Sequence, residues 1–432
     1  MTKTSHLDLL TISETLSPDL PEHVGALLDQ FTGLWQACET ELLQLGPLYS
    51  PAAQRENATR LDRFLEKAIA ELQGAPSSTD ERQAAFARLE AGGRDLAMAA
   101  LGLTQRQLDA MPSGPYVNVL TAFARAARRF DPSLDSSEIY QAGRNVWTMS
   151  FLQMLLGLPL QLTPAMIGYS LIYPYSDNYL DDPAVPEAEK VAFSQRFGRR
   201  LAGEAFSTSD QREGKIYRLV GLIEGQYERQ NYPQVYASLF AIHRAQSKSI
   251  RLLRGRRALE QAEVLPVVFE KGGTSVLADG YLVAGRLSPT EEQTAFAFGV
   301  LTQLVDDLED VSQDLQDGLM TVFSQAARHG SLEAVTNRTL HFARRVLSDL
   351  SFDRLPDAPQ LVELLQRSVS LLIASSIGPA QKYYSRAYKQ TIEAYLPFRF
   401  SYLARLRRKL ARQRLPLTRL VEAFILGDGL ER

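Results

Sequence analysis

At 432 residues and 45% apolar content, the chain has room for one large domain or two or three ordinary ones, with ample material for a core. A net charge of -3 gives no electrostatic case for nucleic acid. A single cysteine, Cys38, excludes an internal disulfide and fits a reducing, cytoplasmic setting. Five histidines, none paired at helical spacing, argue against a histidine zinc site.

Segment after segment reads as helix, and few runs show the strict alternation of a strand. The opening stretch, MTKTSHLDLLTISETLSPDLPEH, interleaves charge and proline with its leucines, so no secretory signal is visible in it. Pro21 to Phe130 gives amphipathic helices broken at GPLYSP, QGAPSST and MPSGP. Residues 1–135 read as a helical lead-in packed on the core, without legible chemistry of its own. Ser50-Pro51, Thr163-Pro164 and Ser288-Pro289 each set a capping hydroxyl before a proline at the first helical position, which predicts three helix starts.

From about Ser136 the helices become less polar, as in a central bundle. Asn145 to Ser176 carries no charge and is long enough to raise a transmembrane reading. Gln153, Gln161, Pro159, Pro164 and Pro174 argue against that reading, and LPLQLTP divides the run into two shorter helices. Pro174 is expected to kink the second of them and to free the Ser170 carbonyl. This helix ends in DNYLDD, where Asp177 and Asp181 face the same way and Asp182 lies about a quarter turn round.

The design repeats further on. Gln293 to Val305 is again uncharged and reads as a helix apolar on most faces. Then Asp306 and Asp310 fall one turn apart, with Asp307 beside them, Gln303 one turn before and Asp314 one turn after. Two carboxylates about 6 Å apart at an effective dielectric near 20 repel by roughly 3 kcal/mol, so such a cluster calls for a cation. Magnesium suits it, because it takes oxygen ligands, is held by few protein carboxylates and completes its shell with water and phosphate. The plainer reading of either cluster is a set of solvated helix-end acids. Two clusters, each behind a long uncharged run, favour the metal.

These residues resemble a known family. Glu270 to Asp314, EKGGTSVLADGYLVAGRLSPTEEQTAFAFGVLTQLVDDLEDVSQD, looks like the second half of a trans-prenyltransferase of the class I isoprenoid synthase superfamily. In that family a lysine-threonine-glycine element precedes a helix ending in Phe-Gln-x-x-Asp-Asp-x-x-Asp. Lys271 to Thr274 and Gln303 to Asp310 stand in that order, and Gly143-Arg144 falls where a glycine-lysine-x-x-arginine element would precede the first motif. The first motif itself, Asp-Asn-x-x-Asp-Asp, is closer to those of squalene and phytoene synthases.

The resemblance implies an all-α isoprenoid synthase bundle over residues 136–395. It implies that Asp177, Asp181, Asp182, Asp306, Asp307 and Asp310 hold three magnesium ions recruited with a prenyl diphosphate. Lys271 and Gln303 would contact the diphosphate, with Arg144, Lys382 and Arg386 as further diphosphate ligands. The expected activity is prenyl transfer to a short isoprenoid, with terpene cyclisation or head-to-head coupling as alternatives. A scaffold or regulatory subunit that keeps the fold without turnover is the reading from a different class. A homodimer is compatible with all of these.

Counting back along each helix face from the acids gives Met166, Tyr169 and Tyr173 on one helix and Phe296 and Gly299 on the other. Cavity lining and core packing are equally compatible with those stripes. By the family's rule, Tyr173 just before the first motif would keep the product short. His243, with Arg244 and Lys248, reads as a polar helix face. The last segment, 396–432, sets Arg405, Arg407, Arg408, Lys409, Arg412 and Arg414 among leucines. It reads as a solvated basic face, with peripheral contact to anionic lipid as the alternative.

Overall fold

The computed structural model describes residues 19–74, 79–110, 113–182, 184–205, 207–253, 260–350 and 358–412, and the regular elements among them are all helical. The first third holds α1 (Asp19–Gln36), α2 (Pro51–Gln73), α3 (Thr79–Leu101), α4 (Gln105–Asp109) and α5 (Ser113–Phe130). Next come α6 (Ser136–Leu155), α7 (Pro164–Asp181), α8 (Glu187–Leu201), α9 (Gln211–Gln226) and α10 (Pro233–Leu253). They are followed by α11 (Gln261–Ala284), α12 (Pro289–Glu309), α13 (Val311–Asp317), α14 (Val322–Arg328) and α15 (Glu333–Ser348). The described residues close with α16 (Ala358–Ser376), α17 (Arg386–Glu393) and α18 (Phe400–Arg412).

The three serine- or threonine-proline starts form as the sequence predicts. Ser50 Oγ accepts from the Ala53 N–H, and Thr163 Oγ from the Met166 N–H with Pro164 in the first turn. At α12 the Ser288 hydroxyl and the Glu291 carboxylate cap each other's backbone N–H reciprocally. The uncharged run divides where expected, with α6 ending at Leu155 and α7 starting at Pro164. No helix among the described residues is long and apolar enough to cross a membrane. Helix α7 continues through Pro174 to Asp181.

Helix α11 is the hub, packed against α10, α12, α6, α1, α14 and α7. Its direction relative to α12 follows from two contacts. Gly272 lies against Gly299 and Gln303, and Gly280 against Leu287 and Ala295, so the two helices are antiparallel. Helix α6 also opposes α12, since Arg144 meets Asp306 and Phe151 meets Phe298. It opposes α7 as well, since Asn145 reaches Ser170 and Gln153 reaches Met166. Helices α7 and α12 therefore run the same way, and both acidic ends point to one end of the bundle.

Helix α1 packs directly into the core. Phe31 and Trp35 are buried; Phe31 stacks on Phe296 at 5.8 Å, and Trp35 sets its edge against Phe269 and Phe342. The rings of the first described helix thus complete the core around α11, α12 and α15. At the other end, α18 docks on α2 through Tyr402, whose hydroxyl reaches the Ala58 carbonyl and Asp62. The Arg405 guanidinium lies over the Tyr402 ring. Arg407, Arg408 and Lys409 remain exposed, and Arg414 lies outside the described residues.

Candidate functional site

The second acidic stretch presents its carboxylates in two directions. Asp306 and Asp310 face solvent, whereas Asp307 is 5% exposed and accepts from the Gln303 side-chain amide at 2.7 Å. Its second oxygen, Oδ2, is buried without a hydrogen-bond partner. Burial pushes the Asp307 carboxyl up to about 8, against the pull of the Gln303 hydrogen bond and of nearby Lys271. Asp306 is raised too, by loss of water on its inner side although about half of its side chain is exposed, opposed by Arg144 and reinforced by Glu309 and Asp310. Asp314, buried and bonded to Thr321, is pushed by burial to about 6. Gln303 therefore serves here to hold Asp307.

Two cations approach this end. Arg144, from α6, sits 4.0 Å from Asp306 with both side chains more than half exposed, so the pair adds little stability. It does set a guanidinium beside the carboxylates. The charge of Lys271, from α11, pulls on Asp306, Asp307 and Asp314, against the burial that raises each of them. The preceding residue, Glu270, is buried and bound by Lys248 at 2.5 Å and Arg244 at 3.5 Å. Arg244 and Lys248 are thus a neutralising pair for a buried acid rather than the polar helix face expected from the sequence. His243 is buried too, edge-on to Phe197 and close to Ser194. Burial depresses its imidazole to about 4.

The glycines after Lys271 have a packing role. A Cβ on Gly272 would lie 2.5 Å from the Gln303 Cβ and 2.6 Å from the Gly299 carbonyl oxygen, and one on Gly273 would run into the Phe296 ring. The three glycines let α11 and α12 touch backbone to backbone, which fixes Lys271 one residue from the crossing and Gln303 opposite it.

Deeper between α6, α7 and α11 lies a buried polar cluster that the sequence did not reveal. Asp279 is 1% exposed, and its Oδ1 has no hydrogen-bond partner. The Asn145 amide faces it, and burial raises its carboxyl well above the usual range. Asn145 also reaches the fully buried Ser170 hydroxyl at 3.4 Å.

The first acidic stretch ends α7. Asp182 is exposed and accepts from the Ala184 N–H, so one of its oxygens closes a local turn. The side chains of Asp177, Asp181 and Tyr173 lie outside the described residues. A cleft of about 360 Å³ opens against Tyr179, Phe193, Arg196, Thr208, Arg212 and Tyr217. In it the Arg212 guanidinium covers the Tyr179 ring at 4.1 Å, and Arg196 is bound by Glu213. Arg199 and Arg200 pair with Glu204 and Glu224.

The stripes counted back from the acids fall mostly in packed core. Phe296 is fully buried between Phe31 and Gly273, Gly299 is covered by the Gly272 backbone, and Met166 is fully buried against Gln153. Tyr169 is partly buried against the same core. Lys382 and Arg386 are exposed, on a segment held to α15 by the Tyr384–Thr336 and Tyr388–Asn337 hydrogen bonds. Among the described residues, nothing ties either of them to Asp306.

A different stripe leads away from the acids. On α12, Phe298 and Thr302 precede Asp306 at four-residue steps and are both only partly buried. Opposite, on α6, Trp147 and Phe151 follow Arg144; Trp147 is 47% exposed, whereas Phe151, parallel to it at 6.4 Å, is buried. The signal for these residues was present in the spacing from Asp306, but which of two neighbouring faces opens outward depends on where α11 packs.

Comparison with protein-family models, with curated proteins and with solved structures found no match. Among the described residues, no group of three or more His, Cys, Asp or Glu side chains stands ready to hold a metal ion. The donors at the α12 end are nevertheless carboxylate oxygens, with Asp306 and Asp310 exposed and Asp307 turned inward on Gln303. That combination fits a hard divalent ion held by few protein oxygens and completed by phosphate.

Proposed function

We propose that this chain is a magnesium-dependent isoprenoid synthase of the class I type that ionises a prenyl diphosphate. The observation that carries the reading is the joint one at the head of the bundle: two acidic helix ends pointing the same way, with Lys271 and Arg144 beside the second. Asp306 and Asp310, with Asp177, Asp181 and Asp182 from α7, would hold the metal. When bound, magnesium supplies charge neutralisation for the departing pyrophosphate.

The protein's own groups do the rest. Lys271 and Arg144 donate to diphosphate oxygens and stabilise the charge that grows on them as the allylic C–O bond breaks. Gln303 keeps Asp307 turned inward, which leaves the outer face to Asp306 and Asp310. The apolar interior below keeps water from the allylic cation. Prenyl transfer is the preferred outcome, on the strength of the sequence resemblance at the second motif; cyclisation or head-to-head coupling would use the same ionisation step.

The test is pyrophosphate release from geranyl, farnesyl and geranylgeranyl diphosphates with magnesium, with and without isopentenyl diphosphate. Release that needs isopentenyl diphosphate decides for transfer, and hydrocarbon formed without it decides for a cyclase. No release from any of them, with Asp306→Ala indistinguishable from wild type, would favour a helical scaffold without turnover.

A further inference from the structure

Helix α18 is fixed at its first turn and displayed beyond it. The Phe400 N–H donates to the Glu393 carboxylate at 2.7 Å, and the Phe400 ring lies beside Gly378. The Tyr402 hydroxyl reaches the Ala58 carbonyl and Asp62 of α2, and its ring stacks on Phe398 at 5.7 Å. Past Tyr402 the pattern changes. Among the described residues, the side chains of 403–412 make no hydrogen bond or ion pair outside their own helix.

That stretch holds Arg405, Arg407, Arg408, Lys409 and Arg412 and no acid, and all five cations are exposed. Their contacts are local, with the Arg405 guanidinium over the Tyr402 ring and Arg408 Nε donating to the Ala404 carbonyl. Exposed arginines elsewhere find an acid, as Arg88 does at Glu71 and Arg199 at Glu204. Here no described carboxylate pairs with any of the five.

The charges are also sorted by side. Arg405, Arg408 and Arg412 follow one another at three- and four-residue steps, so they share one side of the helix, with Lys409 next to them. Leu403, Leu406 and Leu410 share the opposite side and are partly buried. The exposed side is therefore charged, which suits contact with a plane of headgroups and not insertion among acyl chains. The whole chain carries a net charge of -3, so outside this helix it is acidic. An anionic surface repels the body and attracts α18, which orients the approach. A nucleic acid would meet the same charges, but Phe400 and Tyr402, the rings of this helix that could stack on a base, are buried.

We propose that α18 is a docking surface for an anionic lipid bilayer, held by headgroup contacts of Arg405, Arg408, Lys409 and Arg412. It uses no residue of the acidic helix ends, so it stands apart from the catalytic reading.

The full chain is sedimented with vesicles of phosphatidylcholine alone and with rising fractions of phosphatidylglycerol, at low and at high salt. Binding is expected to be absent from the neutral vesicles, to rise with phosphatidylglycerol and to fall with salt. Arg408→Gln, Lys409→Gln and Arg412→Gln combined should weaken it by about hundredfold, at roughly fivefold for each cation near the surface, with the melting temperature unchanged. Arg408→Lys with Arg412→Lys keeps the charge and should retain most of the binding. Arg106→Gln, Arg125→Gln and Arg129→Gln, all at exposed positions of α4 and α5, remove the same charge elsewhere and should leave binding close to wild type.

No binding to anionic vesicles, equal binding to neutral ones, or an α18 glutamine triple that binds like wild type overturns the proposal. So does a control triple that loses as much as the α18 triple, because net charge and not this helix would then be responsible. Tighter binding to a random-sequence DNA duplex than to the vesicles, lost in the α18 triple, would make the helix a nucleic-acid surface instead.

Discussion

Gly272 and Gly299 meet across the α11–α12 crossing so closely that a Cβ on Gly299 would overlap the Gly272 carbonyl and lie 3.0 Å from the Gly273 Cα. Neither helix can give way without moving Lys271 or Gln303. Gly299→Ala is therefore expected to destabilise the protein by about 3 kcal/mol, the upper range for overpacking a tight core. Gly221 in α9 is the control, since nothing lies within 4 Å of its added Cβ. Gly221→Ala should stabilise by up to about 1 kcal/mol from helix propensity alone. Denaturant melts of the two variants measure both.

Asp307 makes stability depend on pH. Its carboxyl is raised from the usual value to about 8 in the folded protein, so the unfolded chain gives up this proton first as pH rises. The contribution is full below about pH 4 and is lost progressively up to about pH 8. Asp307→Asn keeps the side-chain shape without the ionisation. Urea melts at pH 5 and pH 8 should show a smaller fall in stability for this variant than for wild type, and an equal fall would remove Asp307 as the cause.

His243 acts in the opposite direction. Burial depresses its folded value to about 4, below the ordinary 6.5, so its contribution is complete above about pH 6.5 and is lost as pH falls towards 4. His243→Gln removes the titration. Its stability should vary less than that of wild type between pH 7 and pH 4.5, whatever its absolute value.

Asp279 carries an unpartnered buried oxygen and a strongly raised carboxyl, so ionising it in place is costly. Asp279→Asn is expected to raise the melting temperature at pH 8 and to change it little at pH 4. The opposite ordering would mean that the carboxyl is solvated in the folded state.

Much of the architecture was legible because it is local. Serine before proline at 288–289 marks a helix start through its own hydroxyl and ring, and an uncharged run ending in carboxylates marks a buried helix with a polar end. The glycines at 272 and 273 carried no such self-contained meaning. Set after a lysine they suggested a phosphate element, and only the arrival of α12 gives them their packing role. The same holds for the faces of α12. From Asp306 one count leads through Thr302 to Phe298 and another to Gly299 and Phe296, and the choice between them is made by α11. The Asn145–Ser170–Asp279 cluster joins three helices, so no local pattern could announce it. Glu270 likewise draws its partners Arg244 and Lys248 from a separate helix.

The side chains of α2 that hold the segment between α17 and α18 impose an order on synthesis. Gln54 donates to the carbonyls of Glu393 and Leu396, and Asn57 donates to that of Pro397, which lies 340 positions further along. At ordinary translation speeds those acceptors emerge on the order of tens of seconds after the donors. During that interval α2 lacks the partners that hold it to the last helices, and Phe31 and Trp35 of α1 wait for α11, α12 and α15. Throughout that interval the nascent chain carries uncovered core aromatics, which makes this the period in which a chaperone has most to shield.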